Sequence, residues 1–179
     1  TTAYKPDPGD YPVVVESLVQ LAYPALDKNL FLRVTFPAPE GQYPVIIFSH
    51  GGRCSRDLYV DLADHWASHG YIVIQPAHLD SVSIETPSLP RGVMLMKEAS
   101  RTRPLDVIWI ADSLGRIEEL VPGLAGKIDA DRLVAAGHSL GGGTAMTVTG
   151  LTLIDPNDDT LGDVVDERFD LLLLITNPG

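Results

Sequence analysis

Three short runs, residues 45–48 (VIIF), 71–78 (YIVIQPAH) and 133–136 (LVAA), are apolar at both odd and even positions. A strand with one solvated face alternates; a strand that does not alternate must be covered on both faces, which is the condition of a mostly parallel sheet between helices. The stretch RDLYVDLADHWASHG separates the first two runs, with Leu58, Leu62 and Trp66 on one helical stripe and Gly70 placed to end it. Strand, helix and strand in that order predict parallel pairing with a right-handed crossover. Ahead of this unit come two extended segments, 12–19 and 29–36. In the second, Leu30, Leu32, Val34 and Phe36 alternate with Phe31, Arg33 and Thr35, as in an antiparallel strand near a sheet edge. Residues 79–103 break into polar turns around an apolar patch at 93–96. Pro104 is expected in the first turn of a helix whose core face carries Val107, Ile108, Ile110, Ala111 and Leu114.

The chain of 179 residues suffices for one domain, expected to span 1–179, and 45% hydrophobic with 21% charged residues is a globular composition. Thirteen basic against twenty-four acidic residues leave a net charge of −11, which argues against nucleic acid as a partner. No apolar run reaches the roughly 18 residues of a membrane span, so a soluble protein is expected. The N-terminus, TTAYKPDPGDYP, is polar and proline-bearing and has no signal-peptide pattern; secreted after signal removal and cytoplasmic both stay open. Cys54 is the single cysteine, which excludes an intrachain disulfide.

The third apolar run leads into Gly137-His138-Ser139-Leu140-Gly141 and then a helix of small residues, expected over 141–148. A serine on so sharp a strand-to-helix turn has a strained backbone, and residues two positions to either side must lack a Cβ. Its hydroxyl then stands at the C-terminal end of the strand, beside the first N–H groups of the helix, where negative charge is favoured. The Leu140 N–H is one candidate oxyanion donor. The second is the Gly52 N–H in the loop SHGG after the first run, where Gly51 and Gly52 let backbone approach a ligand closely.

With these motifs the chain resembles the α/β-hydrolase superfamily, and within it the group of predicted dienelactone hydrolases and platelet-activating-factor acetylhydrolase-like esterases. The resemblance rests on YPVIIFSHGG, LADHWASHGYIVIQPAH, RPLDVIWIADSL, KIDADRLVAAGHSLGGGTAM and RFDLLLLITNPG, in that order. It implies an α/β-hydrolase fold and a serine carboxylic-ester hydrolase with Ser139 as nucleophile, an oxyanion hole from Gly52 and Leu140, and a small-molecule ester as substrate. It also implies the chain order Ser, then Asp or Glu, then His, the last two after later strands. The run LLLLIT at 171–176 resembles the sixth strand. Being apolar at both parities, it is expected to be central, with neighbours on each side. The acid and base are therefore expected in sequence beyond Gly179 or on a second polypeptide segment completing the domain.

The remaining candidates are pocket residues: His50 and Gly51 in the glycine loop, His78 at a strand tip, Leu89, Val93 and Met94 as an apolar wall, and His138 inside the turn with its ring pointing away from Ser139. Asp155, Asp158 and Asp159 follow the serine but read as a solvated loop. His65 and His69 stand one helical turn apart, yet HWASH lacks the glutamate of H-E-x-x-H, so no metal is expected. GHSLGGGTAM lacks the lysine of a phosphate loop and there is no dinucleotide fingerprint, so no cofactor is expected. Two other readings stay open: an amidase or peptidase using the same turn, and a ligand-binding protein that keeps the fold without hydrolysis.

Overall fold

The computed structural model describes residues 7–83, 93–150 and 164–175. The described chain runs β1 (Val13–Tyr23), β2 (Lys28–Pro37), β3 (Tyr43–Ser49), α1 (Val60–Ser68), β4 (Ile72–Ala77), α2 (Val93–Asp112), α3 (Leu114–Leu120), β5 (Ile128–His138), α4 (Leu140–Val148) and β6 (Phe169–Ile175). The strands form one sheet in the order β1-β2-β4-β3-β5-β6. β1 pairs antiparallel with β2 and β2 antiparallel with β4, whereas β4, β3, β5 and β6 pair in parallel. The two extended segments, the second expected as an antiparallel strand near a sheet edge, therefore form the antiparallel margin of a parallel sheet, an α/β-hydrolase arrangement.

The absence of alternation in β3, β4 and β5 has the expected cause. Val45, Ile47, Ile72, Ile74, Leu133 and Ala135 enter a large core beneath α2, α3 and α4. Their immediate neighbours Ile46, Phe48, Val73, Val134 and Ala136 enter a smaller core on the other face with Ala63 of α1. With both faces dry, each of these residues adds apolar burial, worth about 1.5–3 kcal/mol for a full Val, Leu or Ile side chain.

Three expectations are corrected. Leu58 does not share the buried stripe of α1: it lies in a 3-10 turn at Arg56–Tyr59 and is 63% exposed, while Ala63, Ala67 and Ser68 form the buried stripe and Leu62 and Trp66 pack beside it. Pro104 does not open a helix but lies inside α2. The residues before it, VMLMKEAS, are good helix formers, and the proline removes only the donor to the carbonyl of residue 100. The apolar patch at 93–96 is thus the first turn of α2. β6, expected to have neighbours on both sides, pairs only with β5 among the described residues, leaving Leu171, Leu172 and Leu174 exposed.

Candidate functional site

The sheet's parallel register brings the ends of β3, β4 and β5 to one edge, and Ser139 follows β5 there. Its φ of 52° and ψ of −119° are a strained combination for a residue with a Cβ. The turn closes only because its flanking residues are glycine. A Cβ on Gly137 would stand 2.1 Å from the Gly141 carbonyl oxygen, and one on Gly141 would stand 2.0 Å from that of Ser49. The Ser139 N–H donates to the Ile175 carbonyl at 3.2 Å, so β6 anchors the turn, and that N–H is not available to a ligand. Leu140 opens α4, where the first N–H groups have no intrahelical acceptor.

The glycine loop lies against this turn. A Cβ on Gly52 would meet the Leu140 side chain at 3.4 and 3.6 Å and the Met96 methyl at 2.8 Å, which puts the two candidate oxyanion donors on adjacent backbone. The Gly51 N–H donates to the Tyr59 hydroxyl at 3.4 Å, and that hydroxyl lies 2.7 Å from His138 Nδ1. His138 is thereby turned to Tyr59.

The other two candidate histidines lie deeper. His50 and His78 are fully buried. His50 Nε2 accepts the His78 N–H at 3.2 Å, so Nδ1 carries the proton and donates to the Gly51 carbonyl at 2.7 Å. Burial and the neighbouring Arg103 charge push His50 down to about 4, which keeps it neutral at physiological pH. His78 bridges Ser49 Oγ at 3.1 Å and Asp106 Oδ2 at 2.9 Å, and burial holds it well below the usual imidazole range. Ser49, His78 and Asp106 are thus linked in the order of a catalytic triad. With 1%, 0% and 0% exposure, however, they present no open face to an ester. Asp106 also binds Lys28 Nζ at 2.5 Å, and burial raises its carboxyl to about 6.

Sequence reasoning missed Asp80, Arg103 and Asp106. Arg103 is fully buried and forms a bidentate pair with Asp80. Its Nη1 donates to the His50 carbonyl at 2.6 Å and its Nη2 to the Gly51 carbonyl at 3.2 Å. The available signal was the spacing in RPLD: Arg103 and Asp106 stand i, i+3 on the buried face of α2, with no solvent to satisfy them.

Leu89, Asp155, Asp158 and Asp159 lie outside the described residues, as do the side chains of Val93 and Met94. His65 of α1 and His69, which caps that helix, pack ring against ring, and His69 Nε2 lies 3.1 Å from the Asp7 carbonyl. Among the described residues neither imidazole nor carboxylate is hydrogen-bonded to Ser139 Oγ, and no helix is long and apolar enough to cross a membrane.

The fold is shared with solved esterases. Ferulic acid esterase from Streptomyces cinnamoneus superposes with a TM-score of 0.59 at 19% identity, over 76% of this chain and 54% of that one. The esterase Est22 superposes at 0.52 with 18% identity, over 74% and 36%. Among curated proteins, Chlorophyllase-1 of Arabidopsis thaliana is 30% identical over 117 residues, 65% of this chain and 32% of that protein. Chlorophyllase-2 of the same plant is 31% identical over 129 residues, 71% and 35%. The chain thus matches about a third of the length of these relatives. The matches support the α/β-hydrolase superfamily; they do not single out the dienelactone hydrolase or platelet-activating-factor acetylhydrolase group within it. The family model described as Chlorophyllase matches residues 6–157, and the chain belongs to that family.

Proposed function

We infer that the chain carries the nucleophile and oxyanion hole of a serine carboxylic-ester hydrolase. The observation that carries this reading is the strained Ser139, held between glycines whose Cβ positions are occupied, with Gly52 packed on Leu140 beside it. Ser139 Oγ attacks the ester carbonyl and gives its proton to a histidine supplied from outside the described residues. The resulting oxyanion accepts the Leu140 and Gly52 N–H groups, each worth about 3 kcal/mol at the transition state. Collapse expels the alcohol, which takes the proton from the histidine, and water then releases the acid from the acyl-enzyme. The relatives' names, chlorophyllase and ferulic acid esterase, support an ester as the substrate class.

One observation favours the non-hydrolytic reading: His50, His78 and His138 are all engaged elsewhere. Treatment of the full-length protein with a fluorophosphonate separates the two. The hydrolase reading expects one adduct, mapped to Ser139, and a loss of ester turnover of at least about 10³-fold in Ser139→Ala. An unlabelled Ser139 in folded protein favours the binding protein.

A further inference from the structure

Three non-glycine residues among those described have positive φ, and two of them, Arg53 at 55° and Ser139 at 52°, belong to this site. The strain at Ser139 is held by the glycine turn. At Arg53 it is held from a distance. The Arg53 N–H donates to Asp80 Oδ2 at 2.8 Å, while the Gly51 carbonyl, one peptide earlier, accepts from Arg103 Nη2 at 3.2 Å. Asp80 and Arg103 are themselves joined at 2.8 Å, both buried. One ion pair therefore grips both peptide planes flanking Gly52.

The consequence for Gly52 follows from the trans peptide. Its N–H is antiparallel to the Gly51 carbonyl, and no peptide bond in the described chain is cis. That carbonyl points at Arg103, with further donors from His50 Nδ1 at 2.7 Å and the Cys54 N–H at 3.1 Å. The Gly52 N–H must then point away from Arg103, while a Cβ on the same residue would face the Met96 and Leu140 side chains. An unsupported loop with two consecutive glycines would sample several orientations of this peptide and present its donor only part of the time. Burying two charges is costly, and replacing such a pair by apolar residues is often neutral or stabilising; here the pair does what apolar residues cannot, since it holds a donor and an acceptor of the backbone at once.

We propose that Arg103 and Asp80 are positioning residues that fix the Gly51–Gly52 peptide so that the Gly52 N–H is set for the oxyanion before substrate arrives. This rests on the oxyanion role of Gly52 given above. The two residues touch no substrate, so their replacement acts on the transition state and leaves ground-state binding alone.

The test uses Arg103→Lys and Asp80→Asn in the full-length protein, with p-nitrophenyl acetate as substrate and a trifluoromethyl ketone as transition-state mimic. Lysine keeps the charge but cannot make the bidentate contact while also reaching two carbonyls. The expected result is a kcat lowered about 10- to 100-fold with KM within about twofold, and a ratio of ketone Ki to ester KM raised about 10-fold or more. That ratio does not depend on how much enzyme is folded, so a merely structural pair would leave it unchanged. Should Arg103→Lys fail to accumulate as folded protein, Asp80→Asn decides on the same ratio. An unchanged ratio, or a loss carried by KM, overturns the positioning role while leaving Ser139 as nucleophile. A parent protein without Ser139-dependent turnover overturns both.

Discussion

The serine turn and the glycine loop meet over one patch of backbone, yet they are built in opposite ways. The turn is held by backbone sterics: Gly137 and Gly141 lie within two residues of Ser139, and an added Cβ on either would strike main-chain atoms that cannot yield, those of Gly141 and of Ser49. The loop is held from afar. Its carbonyls are gripped by a guanidinium 52 and 53 residues later in the chain, and an added Cβ on Gly51 or Gly52 would meet first the side chains of His138, Cys54, Tyr59, Met96 and Leu140. A turn that main-chain atoms close on both sides of the serine has no room to relax. A loop held in part by a distant ion pair and in part by the His50 Nδ1 and Cys54 N–H donors loses only the distant part when that pair is broken, which makes it the part that substitution can loosen.

Glycine replacement gives the largest expected contrast. Gly141→Ala puts a methyl group 2.0 Å from the Ser49 carbonyl oxygen and should cost about 3 kcal/mol or more, leaving little folded protein in a urea titration. Gly52→Ala meets the end of the flexible Met96 side chain first and should keep the fold within about 1 kcal/mol, with Met96 swinging aside. Equal losses would erase the distinction between turn and loop.

A smaller effect is expected at the contact between them. Tyr59→Phe removes the hydroxyl that accepts the Gly51 N–H and meets His138, and should cost about 1 kcal/mol of stability and lower kcat by a few-fold at constant KM. A Tyr59→Phe enzyme with parental kcat would mean that the loop needs no support from the turn.

The smallest effect is one of pH. His50, with a folded pKa near 4 against 6.5 unfolded, contributes stability that is present above pH 6.5 and lost as pH falls towards 4. Asp106, raised to about 6, works the other way and gains stability over nearly the same window. His78, also lowered, adds to the His50 side. Net stability should therefore fall from pH 6.5 to 4.5, by less than His50 and His78 alone would give. Chemical denaturation at the two pH values checks the sign, and greater stability at pH 4.5 would contradict the neutral state of the two imidazoles.

What was legible in the sequence follows the same division. β3, β4 and β5 could be read because burial on both faces writes a local pattern, and the serine turn because its steric demands fall within five residues. The ion pair could not be read: Asp80 and Arg103 sit in a stretch without periodicity, and their meeting depends on how α2 crosses the sheet edge. Pro104 was misplaced for a related reason, since a proline signals a helix start in isolation but α2 already carried helix-forming residues ahead of it. β6 shows the converse limit. Its apolar run matches those of the central strands, but the pattern records that a residue is apolar and not what covers it.

The most direct test is the crystal structure of the fluorophosphonate adduct of the full-length protein. The account predicts phosphorus bonded to Ser139 Oγ and one phosphonyl oxygen about 2.7–3.1 Å from both the Leu140 and Gly52 nitrogens, with the Arg103–Asp80 pair unbroken. A phosphonyl oxygen turned to solvent, or bound by other donors, would contradict it.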